Sequence, residues 1–307
     1  MRSILLRDYG GETALQVADI PTTTPGPGQV LVRVRAAGIN ALDWKVREGF
    51  VRDAFPLQLP AVPGIELAGT VEAVGPGATR FQPGDRVMGP LGGLGAYADQ
   101  VVVAEANLAP TPAALGDVDA AALPVATLAA WQSLHLAGPV GAGTRVLVHG
   151  AGGALGGFAV QFAHRAGAYV VGTASATDAD HVRSLGADQV VDYRAQRFED
   201  AAGDFDLVLA YVGGDVIDRS WRVLKPTGAM VGTASPDILA RTPAGRQGHW
   251  FVMKPDAALL QALAADVARG ALKSRLGGVV RFEDIPAAIE RNRVGSGGGK
   301  VVADFTR

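Results

Sequence analysis

The stretch Val148–Val160, VHGAGGALGGFAV, constrains this chain more than any other. It holds five glycines, three alanines and no carboxylate, lysine or arginine, and it follows the apolar run RVLV without a break. Glycine weakens helices and strands alike, so so dense a cluster serves either a sharp turn or a close approach to the backbone. Within it Ala151-x-Gly153-x-x-Gly156 has G-x-G-x-x-G spacing, with alanine in the first place. In such a turn one small residue makes the bend, one leaves the backbone open to a pyrophosphate, and one lets the helix close on the strand. Free N–H groups of the first helical turn then face the phosphates. Ala151, Gly152, Gly153, Ala154, Leu155 and Gly156 are therefore candidate cofactor-binding residues. An ordinary glycine loop is the competing account.

The pattern around the turn supports the first account. From Arg145 onward apolar strands alternate with helical segments: RVLVHG, GGFAVQFAHRAGA, YVVGTAS, HVRSLGAD, QVVDY, DFDLVLAYV, IDRSWRVLKPTG and AMVGTAS, with HWFVMKP as a last strand. That alternation implies a parallel sheet covered on both faces. VGTAS occurs at Val171–Ser175 and again at Val231–Ser235, each time ending an apolar strand in small residues. Ligands of open parallel sheets lie beyond such strand ends.

Before this region the chain reads differently. GQVLVRVRAAGIN alternates Val30, Val32 and Val34 with polar residues, and Gly-Pro and Pro-Gly turns separate further short strands. This is the pattern of a β-rich barrel or sandwich. AAALPVATLAAWQSLHLAG is helix-like, with Pro124 near its start. The tail from Pro255 reads helix, strand, helix, strand, and its final KVVADF is positioned to rejoin the first region. We expect three segments: residues 1–120, 121–254 and 255–307.

Composition narrows the function classes. A net charge of −2 gives no general attraction for nucleic acid or an anionic membrane. With no cysteine, this chain has no disulfide, thiolate nucleophile or cysteine-ligated zinc. Arg7 and Asp8 interrupt the apolar start MRSILL, and proline or glycine breaks both long uncharged runs, so a cytoplasmic protein without membrane spans is expected.

A site for NAD often places an acid at the end of the second strand, about 20 residues past the glycines, on the ribose 2′-hydroxyl. Here that place is Ser175, and the first acid, Asp178, comes three residues later. A serine tolerates a 2′-phosphate better than a carboxylate does, and Tyr193 and Arg194, ending the next strand, could approach that phosphate. The sequence therefore favours NADPH as the cofactor.

Several segments together resemble the zinc-independent quinone oxidoreductases, the zeta-crystallin-like branch of the medium-chain dehydrogenase/reductase superfamily. They are AAGINALDWKVREG, LPAVPGIELAGTVEAVG, PGDRVMG, AAALPVATLAAWQSL, VLVHGAGGALGGFAVQFA, SLGADQVVDYR, VLKPTG and GKVV. The resemblance implies an α/β fold in which a doubly wound parallel Rossmann sheet is inserted in a GroES-like β-rich domain. It implies a cleft for NADPH and substrate, and a homodimer joined through the last Rossmann strands, here HWFVMKP. Zinc-using relatives have cysteine and histidine where this chain has Asn40 and Ile65, so no metal is expected.

The activity implied is hydride transfer from NADPH to a quinone or another α,β-unsaturated carbonyl. An enoyl-thioester reductase and a non-enzymatic NADPH-binding protein are the alternatives. By the same resemblance Asn40 could donate its amide to the substrate oxygen or meet the nicotinamide ribose; otherwise it holds a loop. Asp43 is a candidate acid or a helix cap, and Tyr97 a phenolic donor or a packed strand tyrosine. Thr127, Phe251 and Val252 are placed near the nicotinamide and Val212 near the ribose or adenine, with ordinary core as the competing account for each. The lysine that many members carry after the second strand is absent, ATDAD standing there instead.

Overall fold

The computed structural model describes residues 1–53, 56–295 and 297–307. The chain forms two compact units, one of residues 1–125, 255–271 and 275–307, the other of residues 126–254 with 272–274.

In chain order the first part contains β1 (Arg2–Leu6), β2 (Leu15–Asp19), β3 (Gln29–Gly38), α1 (Ala41–Arg47), β4 (Glu66–Val74), β5 (Arg86–Pro90), β6 (Gln100–Ala104), β7 (Ala109–Pro110) and α2 (Asp117–Ala121). Next come α3 (Pro124–His135), β8 (Arg145–His149), α4 (Ala154–Arg165), β9 (Tyr169–Ala174), α5 (Ala179–Ser184), β10 (Gln189–Asp192), α6 (Phe198–Ala201), β11 (Phe205–Ala210), α7 (Val216–Ser220), β12 (Leu224–Gly232), α8 (Asp237–Ala240) and β13 (Gln247–Trp250). The tail adds α9 (Ala257–Ala268), β14 (Leu276–Arg281), α10 (Ile285–Val294) and β15 (Lys300–Asp304).

The first unit is built on a sheet of order β14-β15-β3-β4-β5-β7, with β6 also paired to β3. β3 follows its alternation: Val30, Val32 and Val34 are buried and Arg33 and Arg35 exposed. β15 pairs antiparallel to β3, Val302 opposite Gly38, so the last residues of the tail complete the first sheet. This is the GroES-like β-rich domain of the expected fold class.

The second unit holds six parallel strands in the order β10-β9-β8-β11-β12-β13. β8 is buried from Val146 to His149, as a strand covered on both faces has to be. The order reverses between β8 and β11, where an open α/β sheet makes its crevice. The Rossmann expectation is therefore met.

Three local readings are corrected. The apolar segment around Pro124 is two helices, α2 and α3, because proline begins the second, where its missing N–H costs nothing. KPTG is not the end of a helix: α7 stops at Ser220, and Lys225 to Gly228 belong to β12. The last Rossmann strand is Gln247–Trp250 and not HWFVMKP; Phe251 still donates to the Gly232 carbonyl at 2.9 Å, and beyond it the chain leaves the ladder. Among the described residues no helix is long and apolar enough to cross a membrane.

Candidate functional site

In the second unit the glycine cluster forms a tight turn between β8 and α4. Gly150 sits at φ +74°, a conformation that favours glycine. Ala151 N donates to the Thr173 carbonyl at 3.0 Å, and Gly153 N to the Gly150 carbonyl at 3.0 Å. A methyl group on Gly156 would fall on the Gly150 carbonyl, so this position allows the close contact of helix and turn. Gly153 is the N-cap of α4 and supplies no side-chain acceptor. The amides of Ala154, Leu155 and Gly156 open a twelve-residue helix whose first turn has no intrahelical acceptors for them. The turn sets donors at the positive end of a helix dipole, which suits an anion.

Most of the other proposed cofactor contacts gather along the same carboxyl-terminal edge of the sheet. Ser175 follows β9 directly and is buried. Tyr193 follows β10, its N–H on the Ala174 carbonyl at 3.2 Å, and is 56% exposed. The Arg194 guanidinium lies 5.5 Å from the centre of the Tyr193 ring. Val212, just past β11, is exposed, and a Cβ on Gly150 would lie 3.2 Å from its Cγ1. Phe251 and Val252 follow β13, the first half-buried and the second exposed. Thr127 differs from these: it is fully buried inside α3.

His149, the last residue of β8, is closed into the core. Its Nδ1 lies 3.1 Å from Thr173 Oγ1 and its Nε2 2.9 Å from Ser220 Oγ. Burial, and then the nearby Arg219 charge, push its pKa down to about 3, so it is a neutral structural imidazole.

The first unit holds a buried polar centre that the sequence showed only in part. Lys300 Nζ lies 2.5 Å from Glu66 Oε1 and donates to Asn40 Oδ1 at 2.6 Å. Asn40 Nδ2 donates to Glu66 Oε1 at 2.8 Å and to the Gly38 carbonyl at 3.2 Å. Glu66 Oε2 accepts the Val125 N–H at 2.7 Å, in the first turn of α3. A Cβ on Gly38 would come within 2.8 Å of Lys300 Cε, so glycine lets this cluster close.

Beside it Asp43 Oδ2 accepts the Asn40 N–H at 2.6 Å and the Tyr97 hydroxyl at 2.6 Å. Asp43 therefore ties down the start of α1 as its third residue, while Asn40 is the N-cap. Its Oδ1 is buried with no hydrogen-bond partner among the described residues. Burial raises the Asp43 pKa to about 6 against the opposing hydrogen bonds from Tyr97 and Asn40. Burial, reinforced by Asp43, holds the Tyr97 phenol well above its ordinary range.

These contacts change the reading of two candidates. Both amide hydrogens of Asn40 are engaged, and its side-chain oxygen takes the Lys300 ammonium and closes a capping box with Asp43, so as placed it is not an amide donor to a substrate oxygen. Tyr97 is in a bend, not a strand, and its single proton goes to Asp43. The charge beside Glu66 is the Lys300 ammonium. Among the described residues no group of three or more His, Asp or Glu could hold a metal ion.

Sequence reasoning missed the part that Lys300 and Glu66 play. The available signal was a lysine at the head of the apolar run KVVADF in a chain with five lysines. It also missed that Asp178 folds back onto Ser175, although S-x-x-D is a capping-box spacing.

Two family models match the chain: the alcohol dehydrogenase GroES-like domain over residues 26–113 and the zinc-binding dehydrogenase over residues 185–302. A chloroplast envelope quinone oxidoreductase homolog of Arabidopsis thaliana is 37% identical over 202 residues, 63% of this chain and 61% of the relative. The chain thus spans about three-fifths of the length of that protein. A 2-haloacrylate reductase of a Burkholderia species is 33% identical over 266 residues, covering 82% of this chain and 80% of that one. The solved quinone oxidoreductase of Coxiella burnetii superposes with a TM-score of 0.93 at 29% identity, covering 99% of each chain.

Proposed function

Because the chain belongs to the zeta-crystallin-like, zinc-independent quinone oxidoreductases of the medium-chain dehydrogenase/reductase superfamily, we propose that it reduces a quinone or another α,β-unsaturated carbonyl with a reduced nicotinamide dinucleotide. The observation that carries this reading is the turn after β8, where Gly156 lets α4 approach so closely that a methyl group would strike the Gly150 carbonyl. Such a turn presents the Ala154, Leu155 and Gly156 amides to a diphosphate. Val212 and Phe251-Val252, at the ends of β11 and β13, are the contacts proposed for the rest of the dinucleotide.

When bound, the nicotinamide supplies the hydride. The chain's own part is to hold and orient. Asn40 is itself fixed by Lys300, Glu66 and Gly38. The charge beside Glu66 is the Lys300 ammonium, and the proposed reaction invokes no metal. We include a homodimer joined through β13, the edge strand of the Rossmann sheet.

Calorimetric titration with reduced nicotinamide dinucleotides, followed by loss of their near-ultraviolet absorbance with small quinones and enones, tests the reading. Saturable binding with turnover is expected. Turnover that persists after Gly156→Val, in a protein that still folds, would remove its basis.

The sequence favours NADPH through Ser175, Tyr193 and Arg194. The position of Asp178 opposes it.

A further inference from the structure

Past β9 the chain makes a short 3-10 turn over Ala176–Asp178, and this turn brings Asp178 back over the strand end. Asp178 N donates to the Ser175 carbonyl at 3.0 Å, and Ser175 Oγ donates to Asp178 Oδ2 at 2.8 Å. Thr177 Oγ1 is 2.8 Å from the same Ser175 oxygen. On its other side the carboxylate packs against the cofactor turn. A Cβ on Gly152 would lie 3.0 Å from Asp178 Cβ and 3.1 Å from Cγ and Oδ2.

We infer that Asp178 sets the specificity of this nucleotide site, selecting the dinucleotide whose adenosine ribose carries a free 2′-hydroxyl, NADH, over NADPH. This rests on the nucleotide-binding reading of the glycine turn. Its basis is position: a carboxylate twenty-two residues beyond Gly156, against the turn itself, stands where the acid of an NAD site is needed. A ribose hydroxyl donates to a carboxylate. A 2′-phosphate carries close to two negative charges at neutral pH and has nothing to donate to it, so it meets like charge there.

The hydrogen bonding also removes the earlier argument for NADPH. Ser175 was read as a hydroxyl free to receive a phosphate, but its proton is directed to Asp178. Asp180, two residues on in α5, adds a second carboxylate, paired with Arg183 at 2.7 Å. Arg194 is the competing influence. Its guanidinium rests over the exposed Tyr193 ring and is the nearest argument on this edge for a phosphate.

The test is equilibrium binding, independent of turnover. Intrinsic tryptophan fluorescence or calorimetry is followed with NADH, NADPH, 5′-AMP and adenosine 2′,5′-bisphosphate. The wild-type chain is expected to bind NADH over NADPH, and 5′-AMP over the bisphosphate, by about tenfold or more, the effect of about 1.4 kcal/mol. Asp178→Asn keeps an acceptor for Ser175 and removes the charge, so it should shrink both ratios by about tenfold.

NADPH binding at least as tightly as NADH in the wild type would overturn this inference and leave the hydride-transfer reading standing. A ratio unmoved by Asp178→Asn would overturn it too. Failure of both dinucleotides to bind would overturn the two readings together.

Discussion

Lys300 reaches Asn40 across 260 positions of sequence, whereas Ala151, Gly153 and Gly156 make their turn within a single run of six residues. The two centres differ in chemistry as well as in span. Around Asn40 both amide hydrogens, the Glu66 oxygens and the Tyr97 proton meet partners inside the first unit. At the start of α4 the amides have no capping side chain. A closed centre of this kind holds a fold together, because removing any member leaves another buried and unpaired. An open one is of use only to a ligand. The contrast teaches that polarity and burial alone do not mark a functional site; uncapped donors at a helix start do, whereas the unpaired Asp43 Oδ1 is buried.

If the first centre is structural, breaking it should cost stability heavily. Lys300→Met leaves Glu66 buried without its cation and is expected to destabilise by about 4 kcal/mol. Hydrogen exchange at the amides of β3 and β15 would register it, since these strands pair beside the cluster. Adding Glu66→Gln should recover part of the loss by removing the stranded charge. A loss below about 1 kcal/mol for Lys300→Met would mean that the ammonium is not needed there.

The second centre should fail differently. Gly156→Ala forces the start of α4 away from Gly150 and is expected to cost about 3 kcal/mol in the second unit. Nucleotide affinity should fall by more than tenfold in the molecules that remain folded. Exchange at the amides of α4 reads the first effect and titration the second. The comparison sharpens if the nucleotide loss exceeds what the unfolded fraction explains.

Two buried groups, one in each unit, respond to acid with opposite signs. His149 has a folded pKa of about 3 against an ordinary 6.5, so the unfolded chain binds the extra proton. Its contribution is present above pH 6.5 and is lost as pH falls, by about 2 kcal/mol on reaching about pH 5. Asp43 has a folded pKa of about 6 against an ordinary 3.8, so the folded chain binds the extra proton. Stability therefore rises by about 1 kcal/mol as pH falls from about 7 to 5. Denaturation at several pH values should show His149→Gln flattening the acid loss and Asp43→Asn steepening it. The same slope in both variants would contradict the assignment of either group.

How much of this was legible follows from the same contrast. The Rossmann alternation could be read because strand, turn and helix are local, and the VGTAS echo marked the ends of β9 and β12 on the carboxyl-terminal edge. The closing of the first sheet by KVVADF was legible from one apolar run. Lys300 was not, because its partners lie on β3's end and on β4, far away in sequence, and no local spacing connects them. Asn40 was read as a donor because its residue type permits it; only the fold shows both its hydrogens occupied. Asp178 fails for a smaller reason: three residues of separation looked like distance, and a 3-10 turn closes it.

The smallest effect concerns a closed pair inside the second unit, where the open centre also lies. Ser133 Oγ is 2.7 Å from the Tyr211 hydroxyl and donates to the Ala130 carbonyl at 3.2 Å, so Tyr211 is the donor between them. Burial holds the Tyr211 phenol above its ordinary pKa, which keeps that proton in place. Ser133→Ala removes the acceptor and strands a buried hydroxyl, an expected cost of about 1 kcal/mol. Tyr211→Phe removes the donor and leaves Ser133 its carbonyl, so about half as much should be lost. Equal losses, measured by hydrogen exchange along α3 and β11, would mean that the pair does not share one proton in this order. The same asymmetry scales up to Lys300 and Glu66, where the group left behind is a charge.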